Sequence, residues 1–279
     1  MFANFSLFCK EITFPTKLPV SKKLNWLHNL ATQQVERNKL FFLQLCCNLR
    51  HEKNPTMSKV RVVVLPGNGC PPGKMRSCNW YGWLANELTK HYSNNASFSV
   101  KCEDMPDPHV ARESNWIPFI NEQLLDQESK NIVVGHRYKF CSLASKKILS
   151  LKKSFESSGA VAAMRLCENT KVEGIVLVSA CHTDLGIANE RKAGYYNRPW
   201  EWDKIKENTE FRILFGSTDD PFIPWREMQH VHDNLQPILL HKKTSQGHFM
   251  TRKFPELLEV LKVEINKILN KQYHLGASL

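Results

Sequence analysis

From residue 58 onward the chain alternates between two hydrophobic rhythms. Short runs of continuously apolar, often β-branched residues recur in "SKVRVVVLPGNG", "NIVVGH", "VEGIVLVSAC" (172–181), "FRILFGSTDDP" (211–221) and "PILLHKKTSQGHF" (237–249), each closing in turn-forming residues. Such runs predict buried strands. "FSVKCEDMPDP" (98–108) predicts a further strand entering a proline turn. Between them, apolar residues at helical spacing predict helices over "WYGWLANELTKHY" (80–92), "ARESNWIPFINEQLL" (111–125), "SSGAVAAMRLCEN", "WREMQHVHDNL" (225–235) and "FPELLEVLKVEINKILNK" (254–271). Strands that alternate with helices and are apolar on both sides predict an α/β fold with a mostly parallel sheet and helices on both faces. Chemistry in such folds sits at the carboxyl ends of the strands. The loops of interest are therefore "PGNG", "GH" with "SSG", "SACHTDLG", "GSTDDP" and "SQGHF".

Residues 1–56 carry no clear amphipathic period and no motif, so they are expected to be a poorly ordered extension ahead of a domain over 57–279. The cluster "LFFLQLCCNL" (40–49) is about half the length of a membrane-spanning helix. The start, "MFANFSLFCKEITF", lacks the basic opening and long apolar stretch of a secretory signal. The nine cysteines form no CxxC pair, which points to reduced thiols in the cytoplasm. The net charge of +11 raises a nucleic-acid reading. Its distribution removes it: +5 lies in 1–56 and +5 in 137–156, leaving +1 over the rest of the chain. A nucleic-acid face would carry its charge on the folded body.

Omitting residues 137–156 joins "VVGH" to "SSGAVAAMR" and creates G-x-S-x-G between a strand and a helix, a nucleophile elbow. The serine of such an elbow sits on a strained turn, and the flanking glycines remove side chains that would collide there. The helix start behind it offers backbone N–H donors to an oxyanion. In this reading Ser157 is the nucleophile and the N–H of Ser158 one oxyanion donor. Asp220 follows the next-to-last predicted strand and His248 the last. Serine, aspartate and histidine in that order are the chain order of a hydrolytic triad, in which a carboxylate fixes the tautomer of a histidine base.

Together with "WYGWL", "MPDPHVARESNWIPF", "NERKAGYYNRPWEWDKIKEN" and "FGSTDDPFIPWREMQ", these stretches resemble the retinoblastoma-binding protein 9 group of small serine hydrolases, over 57–136 and 157–271. The resemblance implies a compact α/β-hydrolase fold with Ser157, Asp220 and His248 as triad, and favours Asp220 over Asp219. It places Asn68 and Gly69 beside the oxyanion and Trp200 and Trp202 at the pocket mouth, where core packing is the competing role. It implies a small-molecule or short-peptide substrate, no cofactor and no metal. The docking motif L-x-C-x-E that names the group is not intact, because "LLDQE" puts Asp126 at the cysteine position. "PGNG" lacks G-x-G-x-x-G, which argues against a nucleotide cofactor.

Residues 137–156 interrupt this elbow. Codons available to Arg137 and Ser157 can carry the GT and AG of splice joints, so the segment is expected to be a translated retained intron or a gene-model error. The alternative is a basic amphipathic helix, with Phe140, Leu143, Ile148, Leu151 and Phe155 on one face and lysines between, of a kind that binds calmodulin or an anionic membrane surface. In the continuous chain Phe155 precedes the serine where the elbow requires a glycine. The sheet is expected to survive because the insertion falls at a surface-facing loop end. The leading expectation is a serine hydrolase acting through an acyl-enzyme. The alternative is a catalytically impaired binding protein of the same fold.

Overall fold

The computed structural model describes residues 59–137 and 159–276, together with Pro19. The expected extension over 1–56 and the segment 138–158 otherwise lie outside the described residues.

Six strands form one parallel sheet: β1 (Lys59–Leu65), β2 (Phe98–Lys101), β3 (Ser129–His136), β4 (Val172–Val178), β5 (Thr209–Ser217) and β6 (Leu239–Lys243), in the order β2-β1-β3-β4-β5-β6. The register pairs Val62 with Ile132, Val134 with Val176 and Val176 with Ile213, so the longest valine and isoleucine runs lie side by side in the centre. The edges are shorter and more polar. "FSVK" is half-buried throughout, and "LLHKK" ends in two lysines, which discourages pairing with another sheet edge.

Side chains alternate between the two faces along each strand. Val60, Val62, Val64, Ile132, Val134, Ile213 and Phe215 meet Leu84 and Leu88 of α1 (Tyr81–His91) and Leu257, Leu261 and Ile265 of α7 (Pro255–Gly276). Val63, Leu65, Val133, Ile175, Leu177 and Leu214 meet the other layer. That layer is built from α2 (Glu113–Phe119), α3 (Gly159–Cys167), α4 (Ala188–Ala193), α5 (Trp202–Glu207) and α6 (Trp225–Leu235). Proline at the first position of α7 suits a helix start, where its missing N–H has no partner to lose.

Three departures from the sequence pattern have local causes. The helix expected over 111–125 starts at Glu113, contains Pro118 and widens into a π-helical turn, Ile120–Leu124. The short helices α4 and α5 fall in a polar stretch with too few residues to show a period; α4 is stopped by Gly194 in the left-handed conformation, φ 93°. The first residue of the insertion is also not at the surface. The Arg137 N–H extends the β3–β4 ladder to the Val178 carbonyl at 3.1 Å, and its guanidinium is buried 3.5 Å from Glu190.

Candidate functional site

β1 and β3 are neighbours, with β2 on one side and β4 on the other, so the chain connections diverge between them and leave a crevice at their carboxyl ends. The loops after β1, β4, β5 and β6 meet there, beside the end of β3.

The loop after β5 carries two adjacent aspartates with separate tasks. Asp220 Oδ2 lies 2.7 Å from Nδ1 of His248 and accepts the Ser179 hydroxyl at 3.0 Å. Its Oδ1 accepts the backbone N–H groups of Phe222 and Ile223 at 2.9 and 3.0 Å. Both side chains of the Asp220–His248 pair are 2% exposed. Asp219 instead accepts the Gly247 N–H at 2.9 Å and the Ser217 hydroxyl, while Ser217 Oγ receives the Gln246 N–H at 3.2 Å. The Ser217 hydrogen bond holds the Asp219 carboxyl below the usual carboxylate range. Asp219 thus fixes the loop and Asp220 fixes the ring. With Nδ1–H donated to Asp220, Nε2 of His248 keeps its lone pair and forms no hydrogen bond to another described residue. The edge of Phe222 meets the His248 ring at 5.0 Å and 82°.

The end of β3 and the start of α3 are in backbone contact. Gly135 falls on the α3 side of β3, and a Cβ there would lie 2.3 Å from the Gly159 carbonyl oxygen and 2.8 Å from the Cα of Ala160. A Cβ on Gly159 would lie 2.4 Å from the Leu65 carbonyl oxygen and 2.7 Å from that of His136. Gly135 itself thus lies against the start of α3. Ser157, Ser158, Phe155 and the amphipathic segment lie outside the described residues.

The loop after β1 carries Asn68 and Gly69. Gly69, at φ 87°, gives its N–H to the Pro108 carbonyl at 2.8 Å, and Gly67 gives its own to the Tyr81 hydroxyl at 3.2 Å. Both amides are thus engaged within the protein. The N–H of Asn68, between them, has no hydrogen-bond partner among the described residues, while the Asn68 side chain donates to the His109 carbonyl at 2.8 Å.

Trp200 and Trp202 stack on each other at 5.4 Å and pack against the second core cluster. Trp200 donates to the His182 carbonyl at 2.9 Å, and the Arg165 guanidinium lies over its ring at 3.8 Å. Arg165 also donates to the carbonyls of Tyr195, Arg198 and Pro199 and pairs with Glu168. The two tryptophans are thus part of a braced wall. A cavity of about 320 Å³ opens beside Phe222, lined by Thr183, Leu185, Ile187, Pro221 and Arg226 as well.

Sequence reasoning missed Ser179, Tyr81 and His136. His136 is fully buried at the end of β3, on the α1 side. Its Nδ1 lies 2.8 Å from the Tyr81 hydroxyl and 3.3 Å from Asn79 Nδ2, and its Nε2 lies 3.1 Å from the His248 carbonyl oxygen. Burial, together with the neighbouring His248, pushes the His136 imidazole well below its ordinary range. The only signal in the sequence was a histidine closing an otherwise apolar strand.

No protein-family model matches the chain. The chain is 42% identical over 205 residues to the rat serine hydrolase RBBP9, covering 74% of this chain and 95% of that protein. Among solved structures, the ydeN gene product of B. subtilis superposes with a TM-score of 0.55 at 17% identity, covering 75% of this chain and 99% of that one, a likeness of fold. The compact α/β fold and the extent of the sequence match agree: the chain belongs to the RBBP9 family of serine hydrolases.

Proposed function

We propose that the chain cleaves a small ester, amide or short peptide through an acyl-enzyme on Ser157. Nε2 of His248 takes the Ser157 hydroxyl proton as Oγ attacks the substrate carbonyl. The N–H groups of Ser158 and Asn68 receive the oxyanion. His248 then returns the proton to the leaving group, and water releases the acyl group by the same route. Asp220 fixes the histidine tautomer and stabilises its charged form. The observation carrying this reading is the 2.7 Å Asp220–His248 hydrogen bond, buried at the strand ends and held by three further donors. The cavity beside Phe222 offers room for a small substrate group.

The reading needs no cofactor. Docking to a retinoblastoma-type protein through "LLDQE" forms no part of it, since Leu124 is in the core and Asp126 is held by Ser129 at 2.8 Å. Free, buried thiols at Cys70, Cys78, Cys102, Cys167 and Cys181 favour a reducing compartment such as the cytoplasm. Among the described residues no helix is long and apolar enough to cross a membrane.

Fluorophosphonate labelling with peptide mapping tests the reading, using the full chain and a form lacking 137–156. Adducts on Ser157 in both support a triad that assembles around the insertion. An adduct only in the shortened form makes the full chain the impaired binding protein. Folded proteins that both resist labelling overturn the assignment.

A further inference from the structure

We infer that His136, held by Tyr81, is a positioning residue for His248 that fixes the backbone of the base from behind while Asp220 fixes its ring from in front. The inference rests on the proposed role of His248.

The hydrogen-bond directions follow from what each partner can do. The His248 carbonyl oxygen can only accept, so His136 Nε2 carries the proton and donates across 3.1 Å. Nδ1 is then an acceptor, which matches its two neighbours: the Tyr81 hydroxyl at 2.8 Å and the Asn79 amide nitrogen at 3.3 Å. The Tyr81 oxygen in turn accepts the Gly67 N–H at 3.2 Å. A single chain of donors thus runs from Gly67, next to the open Asn68 amide, through Tyr81 and His136 to His248. It links the loop after β1 to the loop after β6 across the crevice.

Each member is fixed locally. Tyr81 is the first residue of α1, and Gly82 behind it packs against the preceding turn so closely that a Cβ would lie 1.9 Å from the Arg76 carbonyl oxygen. His136 is boxed by Trp80 at 5.3 Å and the His248 ring at 5.5 Å. Beyond His248, Phe249 is held at φ 53°, a backbone conformation costly for a bulky residue. Such a conformation persists only where neighbours determine it. The anchors there include the His136 bond to the carbonyl of residue 248, the Asp219 bond to the N–H of residue 247 and the Phe249 N–H bond to the Gln246 carbonyl at 3.1 Å. Without the first, the carbonyl of residue 248 loses its bond to the β3 end, and the base is held by Asp220 at its ring and by the 246–249 turn and Asp219 at its backbone.

Three variants test this: His136→Leu, His136→Gln and Tyr81→Phe. Glutamine can donate its amide N–H to the His248 carbonyl and accept from Tyr81, whereas leucine fills space and does neither. The first readout is the downfield proton NMR resonance of the His248 Nδ1–H in the Asp220 bond, which is independent of Ser157. It is expected to be lost to exchange in H136L, restored in H136Q and weakened in Y81F. The second is fluorophosphonate labelling. The maximal rate is expected to fall on the order of tenfold to a hundredfold in H136L, with the half-saturating probe concentration unchanged, and H136Q is expected to recover most of it. A resonance that survives in H136L, or that is lost equally in H136L and H136Q, overturns the inference and leaves His136 as packing. A parent protein that shows the resonance but does not label refutes the hydrolytic reading instead, and the resonance still decides the role of His136.

Discussion

Gly135 and Gly159 meet backbone to backbone, although twenty-three residues separate them in the chain, counting from 136 to 158. The contact sets how closely α3 approaches the end of β3. Gly135→Ala places a methyl group 2.3 Å from a carbonyl oxygen. It is expected to lower stability in urea denaturation by about 3 kcal/mol, the upper part of the range for overpacking. Gly73→Ala is the comparison: φ is +73° but the space around it is open, so the loss should be about 1 kcal/mol. Equal losses would mean that helix and strand part readily.

The neighbouring aspartates should separate in kinetics. Asp220→Asn puts an amide opposite Nδ1 and favours the wrong tautomer of His248, so the labelling rate is expected to fall on the order of 10⁴-fold. Asp219→Asn retains an oxygen for the Gly247 N–H, and the expected loss is about tenfold or less. Labelling kinetics on the two variants would reverse the assignment if Asp219→Asn proved the more damaging.

His136 should leave a signature in the pH dependence of stability. Its folded-state imidazole lies well below the ordinary value, through burial and then through His248, and the described side chains facing it include Tyr81, Asn79, Trp80 and His248. Below about pH 6.5 the unfolded chain takes up a proton at this position and the folded chain does not. Stability is therefore lost as pH falls through that value and is fully present above it. Denaturation curves at pH 7.5 and 5.5 are expected to show a smaller acid loss for His136→Gln than for the parent chain.

Arg165→Met should be damaging far from the histidine. The substitution strips donors from the carbonyls of Tyr195, Arg198 and Pro199 and removes one partner of buried Glu168. Glu168 keeps Arg198 at 3.1 Å and the Glu201 N–H at 3.0 Å, so a loss of about 3 kcal/mol is expected rather than more. Breaking the exposed Lys59–Glu128 pair should cost far less in the same assay, because solvent screens it.

The sheet was legible because its central strands are bounded apolar runs, and the strand-end loops followed from the parallel topology. The order of Asp220 and His248 was legible as spacing. Spacing could not tell Asp219 from Asp220, because only the folded loops decide which carboxylate meets a ring and which meets an amide. Gly69 looked as available as Asn68 until the Pro108 carbonyl, 39 positions later, was seen to take its N–H. The partnership of Tyr81 with His136 spans 55 positions and involves residues that sit equally well in any apolar core. Chemistry that depends on which long-range neighbour arrives leaves no periodic trace.

Half of the support for the Asp220 carboxylate comes from the main chain, through the amides of Phe222 and Ile223. No substitution other than proline removes an amide. The side chains at 222 and 223 are therefore released from duty to the acid: one faces the base and the cavity, the other the core. A change of size or polarity at position 222 would reshape the cavity wall while leaving in place the two amides that hold the carboxylate. On the proposed function, selectivity could then change without moving the acid that orients the base.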